Sequence, residues 1–276
     1  MPAIVKIHLI AGNSEFFNFY LQKMNLRTRY FIFLSYKGTS YHGWQVQPNG
    51  ITVQQVIDEA LTVILEEPVS TTGAGRTDTG VHALFFCAHF DSIRTDLDAR
   101  KNFIYRLNRY LPKDISVSRI RKVSDDAHAR FSAVSRTYIY NICRVKDPFT
   151  EDSAWYLHGD LDIAGMNTAA SVLLNYTDFT SFSRLHSDVK TNNCRITRAS
   201  WEEKGDMLVF TISADRFLRN MVRAIVGTMV DVGTGKKTIG EFEEIIRKKD
   251  RGMAGKSAPA RGLFLTAVDY PSGIFI

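Results

Sequence analysis

An arginine, an aspartate and a histidine stand close together in the decapeptide AGRTDTGVHA, residues 74–83. The apolar run LFFCAHF follows at once, which predicts a loop at the mouth of a β-strand. Arg76 lies two residues before Asp78, which indicates a cation and a carboxylate at the edge of a cleft. That pair suits a catalytic acid with a polyanion contact beside it. The same letters also suit a plain turn, in which the Asp78 side chain accepts from backbone amides and Gly80 takes a positive φ.

Glycines beside a basic residue are also typical of phosphate-binding loops. The spacing of the residues in this sequence excludes such a loop. Gly75 and Gly80 have the G-x-x-x-x-G spacing of a P-loop, but Val81 stands where a lysine is required. The later stretch GKS, residues 255–257, has the right ending, yet Asp250 stands in place of the first glycine. Neither stretch is therefore predicted to bind a nucleoside triphosphate.

Motifs for other cofactors and nucleophiles are missing as well. The dinucleotide pattern fails because Asp78 occupies the position of its third glycine. Cys87 and His89 lack a second pair at ligand spacing, which disfavours a metal site. The H-x-E and P-C-x-x-C motifs of nucleobase deaminases and the G-x-S-x-G elbow of serine hydrolases are absent from the sequence. The Asp78 carboxylate therefore remains the candidate catalytic group.

Composition and charge narrow the class of protein. The 276 residues are 45% apolar and 23% charged, and the net charge is +6. Without a run of about 18 apolar residues, the chain is predicted to be globular and to make no membrane contact. The basic balance favours a polyanionic partner such as nucleic acid. Three scattered cysteines, Cys87, Cys143 and Cys194, indicate core residues in a reducing compartment, hence a cytoplasmic protein.

Strand-like and helix-like segments alternate along the chain and predict an α+β fold. YFIFLSY, residues 30–36, indicates a strand, and Thr52 with Gln55 forms a capping box ahead of a helix. LDARKNFIYRLNRYL, residues 97–111, indicates another helix.

The alternation starts again near residue 127, which sets the expected domain organisation. We expect two similar α/β-sandwich-like halves, residues 28–126 and 127–276, whose largely antiparallel sheets form a central cleft. Thr238 with Glu241 predicts a capped helix in the second half. Residues 1–27 precede the first convincing strand and are expected to be an atypical N-terminal extension.

The decapeptide resembles the catalytic motif of the pseudouridine synthases, specifically the TruA family that modifies the anticodon arm of tRNA. Further blocks resemble that family in the right order. They are YHGWQVQ (41–47), TVQQVIDEAL (52–61), HARFSAVSRTYIY (128–140), DFTSFS (178–183), FLRNMVRAIVG (217–227) and RGLFLTAVDYP (261–271). The resemblance runs from about residue 29 to 271 and implies the pseudouridine synthase fold.

The resemblance also assigns roles to single residues. Asp78 matches the aspartate that all pseudouridine synthases use, and Arg223 matches the arginine that pairs with it and keeps it ionised. Tyr138 matches the tyrosine that packs against the target base. Arg76 resembles the arginine that takes the space of the displaced nucleotide and holds its phosphate. Helical spacing agrees for Arg223, since it lies at the margin of an apolar arc from which a long side chain reaches a buried acid.

Other residues in the matching blocks have ordinary structural explanations beside the functional one. His82 and Arg130 are candidates for substrate binding, and Phe131 lies in the same block as Arg130; a turn, the surface and the core are the respective alternatives. One block departs from the family: KTNNCR, residues 190–195, replaces the usual Thr-Thr or Thr-Pro before an arginine. Arg195 keeps the basic position there.

The resemblance implies an isomerisation that breaks the N1 glycosidic bond of uridine, turns the uracil and joins C5 to the same sugar carbon. Such a reaction needs no cofactor and no metal. Asp78 would attack the sugar, add to the base or remove a ribose proton, and these alternatives stay open. The family further implies a homodimer that modifies uridines 38, 39 and 40 of the tRNA anticodon stem-loop.

Five basic residues are candidates for the path of the tRNA backbone. A path for RNA and an ordinary solvated surface explain them equally well. They are Lys101, Arg106, Arg109, Arg119 and Arg121. A non-catalytic tRNA-binding or folding protein on the same scaffold would keep the basic and aromatic residues but lose the acid, and Asp78 is present.

Overall fold

The computed structural model describes residues 27–184 and 191–276. Within these ranges nine strands form one sheet. In chain order they are β1 (Thr28–Tyr36), β2 (Thr72–Gly73), β3 (His82–Ser92), β4 (Ile115–Lys122), β5 (Ser135–Cys143), β6 (Trp155–Tyr156), β7 (Ile196–Lys204), β8 (Met207–Ala214) and β9 (Leu263–Asp269). The predicted N-terminal extension, residues 1–27, lies outside the described residues except for Arg27.

Five α-helices accompany the sheet in the described part of the chain. They are α1 (Val53–Leu65), α2 (Phe103–Tyr110), α3 (Ile163–Val172), α4 (Met221–Gly233) and α5 (Ile239–Lys248). Both predicted helix starts are confirmed: Thr52 Oγ1 accepts from the Gln55 N–H at 3.3 Å, and Thr238 forms a full capping box with Glu241. None of the helices described is long and apolar enough to span a membrane.

The last strand, β9, joins the two halves of the chain into a single sheet. The main strand order is β4-β1-β3-β9-β5-β8-β7. β9 pairs antiparallel with β5 over most of its length and parallel with β3 through His82↔Phe264 and Ala83↔Leu265. The α+β class with a mostly antiparallel sheet is confirmed. The two expected sheets form one continuous sheet, because β9 fills the position between β3 and β5.

Two hydrophobic cores lie along this sheet. The first core combines side chains of β1, β3 and β4 with the buried faces of α1 and α2. The second combines β5 and β8 with α3, α4 and α5. Leu265 and Val268 of β9 belong to the first core although they come late in the chain. Tyr138 packs against both cores, so it marks the junction of the two halves. The division at residue 126 stays a prediction.

Candidate active site

The decapeptide occupies the loop between β2 and β3, and a turn fixes its backbone. The Val81 N–H donates to the Asp78 carbonyl oxygen at 3.1 Å. Gly80 has φ of +78°, a conformation that side-chain-bearing residues rarely adopt. The hydroxyls of Thr77 and Tyr36 lie 2.9 Å apart in the interior beneath the loop. The turn expected from Asp-Thr-Gly is therefore present, and the backbone of Asp78 has a defined position.

The Asp78 side chain points to two arginines, not to the amides of its own turn. Its Oδ2 lies 3.5 Å from Arg223 Nη1, and its Oδ1 lies 3.7 Å from Arg219 Nε. The Asp78 side chain is 22% exposed, whereas the Arg223 and Arg219 side chains are 20% and 48% exposed. A partly accessible carboxylate between two guanidinium groups is electrostatically complementary to them and still reachable by a substrate.

A structural ion pair elsewhere in the chain shows what is unusual about this one. Arg29 donates from Nε and Nη2 to both carboxylate oxygens of Asp91, at 2.7 and 2.8 Å. That bidentate bond is the largest cause that lowers the pKa of Asp91. Neither contact to Asp78 is as short, and both exceed the usual N–H···O distance of about 2.7–3.2 Å. The oxygens of Asp78 therefore keep capacity to accept from a bound substrate.

Arg223 is positioned by the segment that looked like the end of a P-loop. Its Nε donates to the Ala258 carbonyl oxygen at 2.7 Å, and the Ala258 N–H donates to the Arg223 carbonyl oxygen at 2.9 Å. A Cβ on Gly227 would lie 1.8 Å from the Lys256 carbonyl oxygen. The stretch 255–258 therefore packs directly on α4, and its role is to hold Arg223. The predicted place of Arg223 at the margin of the apolar face is confirmed by its partial exposure.

Arg219 is a member of the site that the sequence analysis missed. It precedes α4, whose N-cap residue Asn220 has φ of +65°. The side chain of Asn220 donates to Ser257 Oγ at 2.7 Å, which ties the start of the helix to the same segment that holds Arg223. Helical spacing could not predict this position, because Arg219 lies before the helix and Asn220 interrupts the helical backbone between Arg219 and Arg223.

Tyr138 lies on β5 near the middle of the sheet. Its ring meets Phe217 edge-to-face, with centroids 5.2 Å apart and planes at 90°. Burial raises the pKa of Tyr138 to about 12, the Arg136 charge opposes that rise, and the Asp78 charge adds to it. The hydroxyl is therefore protonated at neutral pH. The Asp78 charge affects Tyr138, so the flat neutral ring and the carboxylate belong to one site.

Arg136 is a second residue that sequence reasoning missed, and it connects three backbone segments. Its guanidinium donates to the carbonyl oxygens of Ala74, Arg130, Ala133 and Asp215. Ala74 is the first residue of the decapeptide, and Asp215 follows β8. The sequence spacing does not predict this bond pattern, because two of the acceptors, Ala74 and Asp215, are backbone atoms 62 and 79 residues away. The arrangement holds the candidate catalytic loop against β5.

Arg76 and Arg130 lie together on the surface beside this loop. Both side chains are exposed. Burial lowers the pKa of Arg130, and the charges of Arg76 and Arg216 lower it further. Arg130 therefore has two other guanidinium groups within electrostatic reach, which makes this part of the surface positive. The structure thus brings Arg76 and Arg130 together.

His82 is not brought into this group. Its ring is buried and stacks on Phe264 with centroids 4.5 Å apart. Its Nδ1 accepts from the Gly38 N–H at 3.0 Å, and burial is the main cause that lowers its pKa. These contacts give His82 a place in the packing of β3 against β9. Among the described hydrogen bonds and ring pairs, none joins His82 to Asp78 or Tyr138. That His82 binds substrate therefore stays a prediction.

The basic residues expected along a tRNA path are divided between two elements. Lys101, Arg106 and Arg109 are exposed on and before α2. Arg119 and Arg121 belong to β4 and lie over the rings of Phe33 and Phe275, at 4.7 and 5.3 Å from their centroids. Exposure suits a contact to RNA and a solvated surface equally, so the path stays a prediction.

The described residues contain neither a cluster that could hold a metal ion nor a disulfide. No group of three or more His, Cys, Asp or Glu side chains in the described ranges is placed to hold a metal ion. Cys87, Cys143 and Cys194 are free and buried, and burial raises the pKa of the Cys87 and Cys194 thiols to about 12. The cysteines are therefore core residues, as the sequence indicated.

The fold and the site together define an α+β protein with a candidate active-site carboxylate flanked by arginines. The model of the tRNA pseudouridine synthase family matches residues 32–132 and 169–271. This chain belongs to the tRNA pseudouridine synthase family, whose members are isomerases. The matched segments contain Asp78 and Arg223 as well as Arg76, His82 and Arg130. Tyr138 lies between the two matched segments.

Relatives from several bacteria are similar over nearly their whole length. A tRNA pseudouridine synthase A of Parabacteroides distasonis is 54% identical over 247 residues, which are 90% of this chain and 98% of the relative. One from Bacteroides fragilis is 53% identical over 248 residues, with the same coverage of each chain. A more distant one from Bacillus licheniformis is 40% identical over 241 residues, or 86% of this chain and 97% of the relative.

Proposed function

We propose that this chain converts uridine to pseudouridine at positions 38, 39 and 40 of the tRNA anticodon stem-loop, with Asp78 as the catalytic acid or nucleophile. The observation that carries the proposal is the partly exposed Asp78 carboxylate between Arg219 and Arg223. A charged side chain in this position, with oxygens not fully used by its partners, is typical of a functional site. The family and the printed names of the relatives support tRNA as the substrate.

The reaction asks little of the protein besides positioning and one ionisable group. The N1–C1′ bond of the target uridine breaks, the uracil turns, and a C5–C1′ bond forms, after which C5 loses its proton and N1 takes one up. Asp78 attacks C1′, adds to the base or removes the ribose 2′ proton, and each route uses the carboxylate. Tyr138 offers a flat neutral face along which the uracil turns. Arg223 supplies the countercharge of Asp78 from a fixed position.

The target base must leave its stack before it reaches Asp78, and arginines assist that step. Extruding a base costs a few kcal/mol and is cheapest in a loop or at the end of a stem. Arg76 enters the space of the extruded nucleotide and binds its phosphate, and Arg130 adds to the positive field there. Backbone contacts of this kind predict that RNA affinity falls steeply as salt rises.

We also propose that the chain acts in the cytoplasm as a homodimer, with one tRNA contacting both subunits. The three free cysteines support a reducing compartment and the net charge of +6 supports contact with tRNA; the homodimer rests on the resemblance to the family. Sedimentation of the protein with and without tRNA tests the assembly. A monomer in both conditions would contradict this part of the proposal and leave the chemistry untouched.

The decisive experiment uses tRNA transcripts labelled with tritium at C5 of uridine, since closing the C5–C1′ bond releases that tritium to water. We expect release from a transcript with uridines at 38, 39 and 40, and no release when all three are cytidine. Single restorations of uridine identify which positions are used. Tight binding without any tritium release would favour the alternative, a non-catalytic tRNA-binding protein on the same scaffold.

A further inference from the structure

Phe131 is a large apolar side chain held out in solvent next to the candidate active site. Its side chain is 75% exposed. A single exposed apolar residue is common on protein surfaces, so exposure alone explains nothing. What distinguishes Phe131 is the loop that carries it, residues 127–132, and the charges around it.

The backbone of this loop is fixed by side chains from three strands and the segment after β9. The Ala129 N–H donates to His89 Nδ1 at 3.1 Å, and the Ala129 carbonyl oxygen accepts from the Tyr270 hydroxyl at 2.6 Å. Arg29 Nη1 donates to the Ala127 carbonyl oxygen at 3.0 Å. Arg136 donates to the Arg130 carbonyl oxygen. A ring on such a loop is presented in one place and does not need to be ordered on binding.

The ring itself is also braced on one side. The His128 and Phe131 rings have centroids 4.3 Å apart, with planes at 38°. His128 Nδ1 accepts from the N–H groups of Arg130 and Phe131, at 3.1 and 3.3 Å. The brace sets the tilt of the Phe131 ring, and the exposed remainder of the ring is free for a second flat partner.

Positive charge lies beside this ring. The Arg130 guanidinium carbon lies 5.5 Å from the Phe131 centroid, and Arg76 and Arg216 are within electrostatic reach of Arg130. No ion pair among the described residues neutralises any of these three arginines. A rigid exposed ring among unneutralised arginines matches the chemistry of single-stranded nucleic acid, which offers a flat base and a phosphate in each nucleotide.

We propose that Phe131 is a stacking platform for an unpaired base next to the target uridine, with Arg76, Arg130 and Arg216 binding the adjoining phosphates. The platform borders the site because Arg136 donates both to Arg130 and to Ala74 of the decapeptide. Extruding the target uridine uncovers one face of each of its two neighbours, and the Phe131 ring covers one of these faces beside Arg76. The inference rests on the proposed function for the identity of the RNA.

The test compares Phe131 variants with a matched control, Phe149→Ala. Phe149 is 94% exposed on another loop. The probe is a tRNA transcript with 2-aminopurine on the 3′ side of the target uridine, a base whose fluorescence falls on stacking. We expect Phe131→Ala to weaken filter binding about tenfold and to abolish the quenching, since stacking on one aromatic ring contributes that much or more. Phe131→Tyr keeps both, and Phe149→Ala matches wild type.

Two results would overturn the inference. The fluorophore is placed in turn at each neighbour of the target uridine. If the Phe131→Ala protein then binds and quenches like the Phe149→Ala protein at both positions, the ring has no base partner. Phe131→Leu that binds as tightly as wild type would show that apolar bulk suffices without stacking. Thermal unfolding of each variant separates loss of fold from loss of contact. Tritium release by wild type tests the proposed function independently: its absence would reject the isomerase, while the binding difference still decides the platform.

Discussion

The Arg223 guanidinium contacts both Ala258 and Asp78. Its Nε donates to the Ala258 carbonyl oxygen at 2.7 Å, and its Nη1 lies 3.5 Å from the Asp78 carboxylate. The shorter bond fixes the guanidinium, and the longer contact leaves the Asp78 carboxylate only loosely held. The position of the charge opposite Asp78 is therefore set by the packing of residues 255–258 on α4. Changes to the carboxylate, to the arginine or to that packing have different expected effects.

Asp78→Asn is expected to abolish pseudouridine formation and leave tRNA binding intact. The two side chains have nearly the same shape and the turn depends on backbone bonds, so the loop keeps its conformation. An essential catalytic group typically carries on the order of 10⁴-fold or more in rate. The RNA is held through phosphates and stacked bases, so its affinity stays at the wild-type level or rises as a negative charge is removed.

The control for that variant is Asp96→Asn, because Asp96 is exposed and its side chain pairs with Arg100 at 3.4 Å. Tritium release and filter binding are measured on the same preparations. Turnover of Asp78→Asn within tenfold of wild type would return Asp78 to the role of a turn residue.

Arg223→Lys is expected to slow the chemical step more than Arg219→Lys. An ammonium group keeps the charge but cannot donate to Ala258 and face Asp78 in the same fixed geometry. Displacement of a catalytic group by about 1 Å costs on the order of 10²-fold in rate. Arg219 is half exposed and 3.7 Å from the carboxylate, so a lysine there is expected to cost less than tenfold, as exposed ion pairs contribute little. Single-turnover rates at saturating tRNA provide the comparison, and equal losses in the two variants would contradict it.

Gly227→Ala is expected to impair stability and activity together. The new Cβ would lie 1.8 Å from the Lys256 carbonyl oxygen, which is a backbone atom, so residues 255–258 must move off α4. Overpacking of this kind costs about 1–3 kcal/mol, and the Ala258 acceptor moves with the segment.

Gly240→Ala in α5 is the matched control, since its Cβ meets no atom closer than Thr238 Oγ1 at 3.9 Å. Replacing a helical glycine in open space stabilises by up to about 1 kcal/mol. Thermal unfolding and tritium release are measured for both variants. A fully active Gly227→Ala protein would show that Arg223 does not depend on this packing.

The parts of this molecule that the sequence predicted are those with local signals. The caps at Thr52 and Thr238 each involve residues three apart. The capping box at Thr238 formed as predicted. At Thr52 only the bond from the Gln55 N–H formed, and the Gln55 side chain donates to Glu59 instead of completing the box. Asp78 could be placed in a loop because glycines and an apolar run surround it. Arg223 could be placed at the margin of a helix face because helical spacing orders its neighbours.

The remainder depends on long-range partners that spacing does not encode. The predicted helix over 97–111 begins only at Phe103, because Asn102 adopts φ of +64° and ends the preceding turns. Arg136 binds carbonyl oxygens as far as 79 residues away. The insertion of β9 between β3 and β5 is a pairing of distant strands, so the continuous sheet could not be read from periodicity.

The stability of the protein is expected to fall on acidification, with His89 as one identifiable cause. Burial, together with the charges of His128 and Arg29, lowers the pKa of His89 from 6.5 to about 4. Between these values the unfolded chain binds a proton that the folded protein excludes, so the stabilisation is complete above pH 6.5 and is lost as the pH falls toward 4. At about 1.4 kcal/mol per unit, the loss between pH 6.5 and pH 5 reaches about 2 kcal/mol.

His89→Asn tests this cause because an amide oxygen still accepts from the Ala129 N–H but does not titrate. Unfolding by urea at pH 7 and pH 5 gives the two stabilities. We expect a smaller difference in the variant, with a residual slope because burial also lowers the pKa of His82 and His128. The exposed His158 provides the control His158→Asn. A variant with the full wild-type slope would assign the acid sensitivity to other groups.

Tyr138 separates the role of a flat ring from that of a hydroxyl. Because the pKa is raised to about 12, the hydroxyl is no base at neutral pH, and Tyr138→Phe keeps both the ring and its edge contact with Phe217. We expect that variant to retain activity within about tenfold of wild type, since the uracil still has a face to turn against. Tyr138→Ala removes the ring and leaves a cavity between the two cores, which costs about 3 kcal/mol of stability and on the order of 10²-fold or more in rate. Tyr138→Leu refills most of the cavity without a flat ring, so a stable but slow Leu variant would assign the loss in rate to stacking; Phe, Leu and Ala variants of equal activity would remove Tyr138 from the reaction.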